Sequence, residues 1–238
     1  MSDWLPGRNP STLSSAYSSA VEMTTKAFSM LRPSPAPPQK LEEETPKQGA
    51  RPKPSAARYR ELLEKLKKGE RDVDFTELRM SYTETEDYSP YGGDDDARGA
   101  MFSALKAGKW DDALNHSAKI LEKNYVDINA HLASLAANAR KGDTAKADFH
   151  KFVLHGLVDS VRGGGDGRSM EKAFVVISTD EEYALLNLLG LRTTSQALLS
   201  GGGHAYDKLA AVDPETNQTY DFYFQIDIPF GWLGRGRK

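Results

Sequence analysis

Residues 107–131 read AGKWDDALNHSAKILEKNYVDINAH, and residues 140–160 read RKGDTAKADFHKFVLHGLVDS. Each stretch places a glycine between two patterns of helix-forming residues, and Gly142 follows Gly108 by 34 positions. Glycine allows the chain to turn sharply between two helices, and small alanine side chains allow the helices to pack closely. The stretches therefore predict two antiparallel helix pairs related by a fixed shift. The same shift relates Ala113 to Ala147 and Ile120 to Leu154.

This spacing is that of tetratricopeptide repeats, and the two units resemble such repeats. The resemblance is partial, because the consensus Trp, Leu-Gly and Tyr of the first helix are absent from the first unit. Those positions hold Ala97, Ala100, Met101 and Ala104. Two units are also fewer than the three or so that a repeat array needs to bury its own faces. Another part of the chain must therefore cover them.

The C-terminal part of the chain is expected to provide that cover. The run TYDFYFQIDIPF at 219–230 alternates apolar with polar side chains, which predicts a strand with one buried face. The run AFVVIS at 173–178 predicts a short strand, and 179–190 predicts a helix capped by Thr179 or Asp180. Two further strands are expected, around 194–199 and 204–212. The predicted fold class is α+β, with the helix pairs packed against a small, mostly antiparallel C-terminal sheet.

Proline content divides the chain, since nine of the twelve prolines lie in residues 1–54. We predict a short amphipathic helix or tail at 1–32, a Pro-rich linker at 33–54 and an α+β domain at 55–238. Within this domain, the helical repeats are expected at 94–162 and the sheet region at 173–233. The N-terminal tail is expected to be disordered and Pro-rich. The apolar face of residues 11–31 leaves three alternatives open: a partner contact, a weak membrane-surface contact and a mitochondrial presequence.

Charge and composition exclude several classes of protein. The formal net charge is −3 and no long run of Lys or Arg occurs, so nucleic acid is not an expected partner. No apolar run approaches the roughly 20 residues that span a bilayer, and the N-terminus lacks the basic-then-apolar layout of a secretory signal. The chain has no cysteine, which fits a reducing compartment and a cytoplasmic location.

Three consecutive aspartates, Asp94, Asp95 and Asp96, form the densest group of potential metal ligands. A helical pattern follows them, and carboxylates in the first turn of a helix cap free backbone N–H groups and complement the helix dipole. The aspartates lack the alternating spacing of a calcium-binding loop. We therefore interpret them as the start of a helix, with a metal site as the alternative.

Residues 200–207 read SGGGHAYD and place His204 near Asp207. A histidine beside a carboxylate is able to act as a general base, but no nucleophile in a recognisable elbow accompanies it. The glycines of RGGGDGRS at 162–169 are interpreted as a connection, because no Lys-Ser/Thr pair follows them. We therefore assign no catalytic residue, metal ligand or cofactor.

The first helix of each repeat unit is expected to face a groove that holds a peptide. Arginine, lysine and asparagine on that face supply the donors that clamp a carboxylate or a peptide backbone. We therefore expect a non-enzymatic module that binds a protein or peptide in the helical groove, with the N-terminal helix as a second contact. The predicted partner-binding residues are Arg98, Lys106, Asn129 and Arg140.

The alternative function is a metal-dependent hydrolase with a site near Asp94–Asp96 and His204. Tyr91 and Glu181 or Glu182 would complete that site. These residues are far apart in the sequence, and metal ligands lie roughly 2–2.6 Å from the ion. The hydrolase therefore requires a fold in which these side chains converge.

Six stretches carry a family resemblance: DFTELRMSY, YSPYGGDDD, ILEKNYVDINAHL, AFVVISTDEEYALLNLLGL, GGHAYDKL and DPETNQTYDFYFQIDIPFGWL. In combination they resemble a bacterial family known as domain of unknown function 4919, from about Asp74 to Leu233. The resemblance implies a compact domain of helical repeats and a sheet. It implies no activity, cofactor or catalytic residue.

Overall fold

The structure is a computed structural model, and it describes residues 53–235. The predicted helix or tail at 1–32 and nearly all of the predicted linker at 33–54 lie outside the described residues. The described part contains eight helices and four strands. No helix between residues 53 and 235 is both long enough and apolar enough to cross a membrane.

Six helices precede the first strand. They are α1 (Ala56–Lys67), α2 (Phe75–Tyr82), α3 (Asp95–Lys106), α4 (Trp110–Lys123), α5 (Ile128–Lys141) and α6 (Thr144–Arg162). Five of them follow a Ser or Asp whose side chain accepts a hydrogen bond from a backbone N–H of the first turn. Such caps typically stabilise a helix by about 1 kcal/mol, so the local sequence defines these helix starts. The capping residues are Ser55, Asp74, Asp94, Asp127 and Asp143.

Two glycine turns fold four of these helices into pairs. Gly108 joins α3 to α4 with a φ of +67°, and Gly142 joins α5 to α6 with a φ of +79°. Helix α4 begins at Trp110 and α6 begins at Thr144, which keeps the 34-residue shift of the sequence. The members of each pair pack against each other, and α4 also packs against α5. Both predicted helix–glycine–helix units are therefore present.

The C-terminal part forms a mixed four-stranded sheet. Its elements are β1 (Phe174–Val175), α7 (Thr179–Leu188), β2 (Arg192–Gly201), β3 (His204–Val212), β4 (Thr219–Gln225) and α8 (Asp227–Arg235). The strand order is β1-β4-β3-β2, in which β2, β3 and β4 are antiparallel and β1 runs parallel to β4. The predicted α+β class with a small, mostly antiparallel sheet is confirmed.

One apolar core joins the helices to the sheet. Phe222 and Phe224 of β4 are 2% and 0% exposed. Their ring centroids lie 6.2 Å and 5.7 Å from that of Phe174 in β1. Strand β1 packs against α6, and α7 packs against α5. The sheet and the helices therefore shield each other from water.

The alternating run at 219–230 ends earlier as a strand than its pattern predicts. Strand β4 stops at Gln225, and Asp227 opens α8. Ile228 therefore lies in a helix. Pro229 explains the difference, because proline lacks the N–H that a strand interior donates, whereas the first turn of a helix does not use that N–H.

Arg79 of α2 connects three further elements inside the core. Its guanidinium donates to Ser160 Oγ of α6 at 3.0 Å, to the carbonyl of Val175 in β1 at 2.9 Å and to Glu181 Oε2 of α7 at 2.7 Å. The arginine is 0% exposed. Hydrogen bonds of this quality are required to offset the cost of removing the charge from water. We refer to Arg79, Ser160, Val175 and Glu181 as the arginine joint.

Candidate functional site

A cleft of about 540 Å³ opens between α3, α4, α5, α7 and the loop at 87–93. Its lining includes residues at the N-terminal ends of α3, α5 and α7, so three helix starts converge on one space. The volume falls in the range of roughly 300–1,000 Å³ that is typical of ligand sites. The cleft is therefore large enough to accommodate a ligand.

The loop at 87–93 is fixed to the start of α7. Tyr88 donates its hydroxyl hydrogen to the carbonyl of Ile177 at 2.6 Å. The backbone N–H and the hydroxyl of Thr179 both donate to the carbonyl of Pro90, at 3.2 Å and 3.3 Å. These hydrogen bonds hold one wall of the cleft in place before any ligand arrives.

Helix α7 begins differently from α3 and α5. Ser178 holds its N-cap position, rather than Thr179 or Asp180 as the sequence predicts, and the serine side chain makes no capping hydrogen bond. The first turn instead carries Asp180, Glu181 and Glu182. Carboxylates at a helix start complement the positive end of the helix dipole, so acidic side chains accompany all three helix starts at the cleft.

Arg98 of α3 lies in the cleft wall between two carboxylates. Its side chain is buried, and its Nη2 lies 2.8 Å from Asp127 Oδ2 and 3.0 Å from Asp180 Oδ2. Burial by itself would lower the pKa of Arg98, but the two carboxylates outweigh burial and raise that pKa, so the arginine stays charged. Arg98 Nε has no hydrogen-bond partner among the described residues.

Asp127 has two roles in this wall. It accepts a hydrogen bond from the backbone N–H of Ala130 at 2.8 Å and thereby caps α5. Its second oxygen holds Arg98. One carboxylate therefore fixes both the start of a helix and the position of the arginine.

The lining of the cleft is strongly acidic. Seven carboxylate side chains and two cationic side chains line it: Asp87, Asp94, Asp95, Asp96, Asp127, Asp180 and Glu181, with Arg98 and Lys123. Lys123 is 67% exposed, and its Nζ lies 4.0 Å from Asp94 Oδ2, a distance at which an exposed pair contributes little. The excess of carboxylates gives the cleft a negative potential, which attracts cations.

Glu181 connects the cleft to the arginine joint. Its Oε2 accepts from Arg79 and from the backbone N–H of Ile177, at 2.7 Å and 2.8 Å. Its Oε1 has no hydrogen-bond partner within residues 53–235. This carboxyl oxygen is therefore an unpaired acceptor that is shielded from solvent next to the cleft.

Two of the four predicted partner-binding residues line the cleft. Arg98 and Asn129 do so and are buried, whereas Lys106 and Arg140 are exposed and lie outside the lining. Helix geometry explains the separation, because the cleft lies at the N-terminal ends of α3 and α5. Lys106 is eight residues beyond Arg98, which is about 12 Å at 1.5 Å per residue.

The residues of the alternative hydrolase site do not form one group. Asp94–Asp96 and Glu181 line the cleft, whereas Tyr91 and His204 do not. His204 instead pairs through Nδ1 with Asp227 at the start of α8. In the described part of the chain, no group of three or more His, Asp or Glu side chains is arranged to hold a metal ion.

A buried pair of carboxyl groups lies between α7 and β3. Glu182 is 0% exposed, and neither of its carboxyl oxygens has a hydrogen-bond partner in the described residues. Burial and then the neighbouring Asp207 raise its pKa well above the ordinary value. Asp207 accepts a hydrogen bond from Gln196 Nε2 at 2.7 Å, and burial raises its pKa as well. Burial therefore favours the uncharged form of the Glu182 carboxyl group.

A buried pair of histidines lies between α5 and α6. His131 Nε2 lies 2.9 Å from the carbonyl oxygen of Tyr125, and His131 Nδ1 lies 3.0 Å from His150 Nδ1. A carbonyl only accepts, so His131 Nε2 carries the proton and His131 Nδ1 accepts from His150. Burial and His150 lower the pKa of His131 to about 3, and burial lowers that of His150 to about 4.

Sequence reasoning missed Asp127 and Asp180, the two carboxylates that hold Arg98. Asp127 carries a local signal, because an Asp before an apolar helical pattern is typical of an N-cap. Asp180 lies 82 positions beyond Arg98, and no local pattern indicates that the two side chains meet. Capping rules could identify Asp127 as a helix start, but the contacts of both aspartates with Arg98 required the fold.

Comparison with protein families identifies the domain. The chain belongs to the family described as Domain of unknown function (DUF4919), whose sequence model matches residues 47–230. The family membership predicted from the six stretches is confirmed. Comparisons with curated proteins and with solved structures found no match.

Proposed function

We propose that this chain is a non-enzymatic interaction module that binds a segment of a protein partner in the cleft. The observation that carries the proposal is the position of the cleft at the first helices, α3 and α5, of the two helix pairs. Arg98 from α3 and Asn129 from α5 line the same space, although 31 positions separate them in the sequence. The helices thus present polar side chains to one concave surface.

The spacing of the helices supports a peptide-binding role. The second helices of the two pairs keep the 34-residue shift of tetratricopeptide repeats. We infer that the pairs act as such repeats do, with the first helix of each pair facing the ligand. The polar and apolar residues of the lining also suit a peptide. Ile120 and Ile128 supply apolar contacts, while carboxylates and Arg98 supply polar ones.

The walls of the cleft are organised in advance of binding. Capping side chains fix the starts of α3 and α5, and the loop at 87–93 is hydrogen-bonded to the start of α7. A site that is already ordered loses less conformational entropy when a ligand binds. Because the cleft is already rigid, most of the conformational entropy lost on binding comes from the flexible segment of the partner.

Site-specific photo-crosslinking tests the proposal. A photoreactive phenylalanine analogue replaces Ser89, an exposed residue of the cleft lining. The matched control carries the same analogue at Ser195, which is exposed on β2 and lies outside the lining. We expect a crosslinked protein that appears with the analogue at Ser89 and is absent with the analogue at Ser195.

The crosslinked segment is then synthesised as a peptide and mixed with the purified full chain. Direct binding of that peptide, measured by calorimetry, is the expected result. The proposal is wrong if the two positions give the same crosslinks, or if the synthetic peptide does not bind the purified protein.

A further inference from the structure

We infer that the segment bound in this cleft is basic, with an Arg or Lys side chain entering between the carboxylates. This inference rests on the proposed function and specifies the chemistry of its ligand. It follows from two independent observations, the distribution of charge around the cleft and the polar atoms that remain without partners inside it.

The first observation is the charge of the lining. Arg98 is held between Asp127 and Asp180, so its charge is matched by two carboxylates. Three further aspartates at the cleft, Asp87, Asp95 and Asp96, are exposed to solvent. Like charges crowded around one space repel each other, and a cation between them relieves that repulsion.

The second observation concerns two unpartnered atoms. Glu181 Oε1 is an acceptor and Arg98 Nε is a donor, and neither has a hydrogen-bond partner in residues 53–235. Both residues line the cleft, and the side chains of Glu181 and Arg98 are 5% and 10% exposed. A buried polar atom without a partner costs about 1–3 kcal/mol, so a ligand that satisfies such atoms is favoured.

A basic peptide offers a partner to each atom once the two side chains turn toward the cleft, since both atoms are shielded from solvent. The guanidinium or ammonium group of its side chain donates hydrogen bonds, which suits Glu181 Oε1, and its backbone carbonyls accept, which suits Arg98 Nε. Asp180 is a quarter exposed, so an incoming cation is able to share this carboxylate with Arg98. The ligand chemistry thus matches both the net charge and the individual atoms.

An anionic ligand fits less well, although helix starts often bind phosphate. Here Asp94 and Asp127 already accept the hydrogen bonds of the first turns of α3 and α5. In α7, the first turn carries three acidic residues. The positive ends of the helix dipoles are therefore already matched by carboxylates, which would repel a phosphate.

Three fluorescein-labelled octapeptides test the inference with the purified full chain. Each contains Gly and Ser, together with four Arg, four Glu or no charged residue, and binding is measured by fluorescence anisotropy. We expect the Arg peptide to bind at least about tenfold more tightly than the other two at 50 mM NaCl. We expect its affinity to fall at 500 mM NaCl, because salt screens exposed charges.

Two double variants show where the Arg peptide binds. Asp95→Asn with Asp96→Asn removes two exposed carboxylates from the first turn of α3, which lines the cleft. Asp111→Asn with Asp112→Asn removes two from the first turn of α4, outside the lining. Both double variants raise the net charge by two in the first turn of a helix, and the second also removes the ion pair between Asp111 and Lys141. The first is expected to weaken binding about tenfold, because each removed charge lies near the ligand, and the second less than twofold.

The outcomes separate this inference from the proposed function. Equal weakening by both double variants, or no binding of the Arg peptide, overturns the inference. So does tighter binding of the Glu peptide or the uncharged peptide. In each of these cases the proposed function still stands if the crosslink at Ser89 yields a peptide that binds. If the Arg peptide does not bind and the crosslink at Ser89 also yields no binding peptide, both the inference and the proposed function are wrong.

Discussion

The arginine joint and the cleft wall each contain one buried arginine paired with carboxylates, but they differ in how completely the arginine is satisfied. Arg79 in the joint is 0% exposed, and its Nε, Nη1 and Nη2 all donate hydrogen bonds. Arg98 in the cleft wall leaves Nε without a partner among the described residues. One of its two carboxylates, Asp180, is a quarter exposed.

We propose that the difference separates a structural role for Arg79 from a binding role for Arg98. A fully enclosed ion pair interacts in a low dielectric, and removal of one partner leaves an uncompensated charge that water cannot reach. Beside an open cleft, water or a ligand replaces a missing partner at lower cost. Arg79 is therefore expected to determine stability, and Arg98 is expected to determine both stability and ligand binding.

The largest effect is expected for Arg79→Ala in the arginine joint. The substitution leaves Glu181 without its guanidinium and removes the contacts among α2, α6, β1 and α7. Loss of one partner of a buried pair typically costs about 3–5 kcal/mol, so we expect a decrease of that size in the free energy of unfolding. Urea denaturation followed by circular dichroism measures it.

Arg60→Ala is the control for that experiment. Arg60 is exposed on α1, and exposed substitutions usually change stability by less than about 0.5 kcal/mol. A loss below about 1 kcal/mol for Arg79→Ala would show that the joint does not hold these elements together.

The next largest effect is expected for Arg98→Met in the cleft wall. It leaves Asp127 and Asp180 without their shared cation, and we expect a stability loss of about 2–3 kcal/mol, smaller than that of Arg79→Ala. Binding should change in the opposite direction. The variant loses the Nε donor, but it also removes the repulsion between Arg98 and a cationic peptide and makes the cleft more negative, so the Arg octapeptide should bind several-fold more tightly.

This gain in affinity distinguishes an effect of the changed charge from an effect of a damaged fold. A damaged cleft would bind every peptide more weakly, whereas a more negative cleft binds a basic peptide more tightly. If Arg98→Met destabilised the protein as much as Arg79→Ala, the proposed distinction between the two regions would be wrong.

Local sequence explains the parts of the fold that depend on neighbouring residues. The capping Asp94 and the glycine turns at Gly108 and Gly142 occur as predicted, because caps and positive φ angles depend on a few adjacent residues. The strand prediction for 219–230 was wrong beyond Gln225. The alternation of apolar and polar side chains continues through Pro229, but the extended backbone ends at Gln225.

The candidate site depended on contacts that no local pattern contains. The Arg79–Glu181 pair joins residues 102 positions apart, and the sequence alone does not indicate their contact. Arg98 and Asn129 were predicted as surface residues of a helical groove, but both are buried. Their burial depends on α7 and the loop at 87–93, whose positions follow from the whole fold.

The response of stability to acid provides a second comparison, between the buried histidine pair at α5 and the buried carboxyl pair at α7. The pKa of His131 is lowered in the folded state to about 3. The stability that uncharged His131 contributes to the fold is complete above the ordinary pKa of about 6.5, and it is lost as the pH falls toward 3. At pH 5 that loss is about 2 kcal/mol, at 1.36 kcal/mol per pH unit.

We therefore expect His131→Gln to reduce this sensitivity to acid. Glutamine is able to donate to the carbonyl of Tyr125 and to accept from His150, but it does not titrate. Relative to the unsubstituted chain, the variant should gain about 2 kcal/mol in stability between pH 7 and pH 5. Urea denaturation at both pH values measures this gain.

The control for the histidine experiment is His204→Gln, at a side chain that is half exposed. Only the gain of His131→Gln beyond that of this control is attributed to the buried histidine pair. A parallel pH response of His131→Gln and the unsubstituted chain would show that the histidine pair is not held neutral.

The smallest effect is expected for Glu182→Gln, and its sign is opposite. The pKa of Glu182 is raised in the folded state by burial and by Asp207. The stability that the uncharged carboxyl group contributes is therefore complete below about pH 4.5, and it is lost as the pH rises toward the raised pKa. Glutamine carries no charge, so this variant should gain stability relative to the unsubstituted chain as the pH rises from 4.5 to 6. Glu215→Gln, at an exposed turn residue, is the matched control, and the gain of Glu182→Gln is measured relative to it. Urea denaturation at the two pH values measures the sign of the change. A loss instead of a gain would mean that Glu182 is a charged carboxylate in the folded protein. The histidine pair and the carboxyl pair would then respond to acid in the same direction.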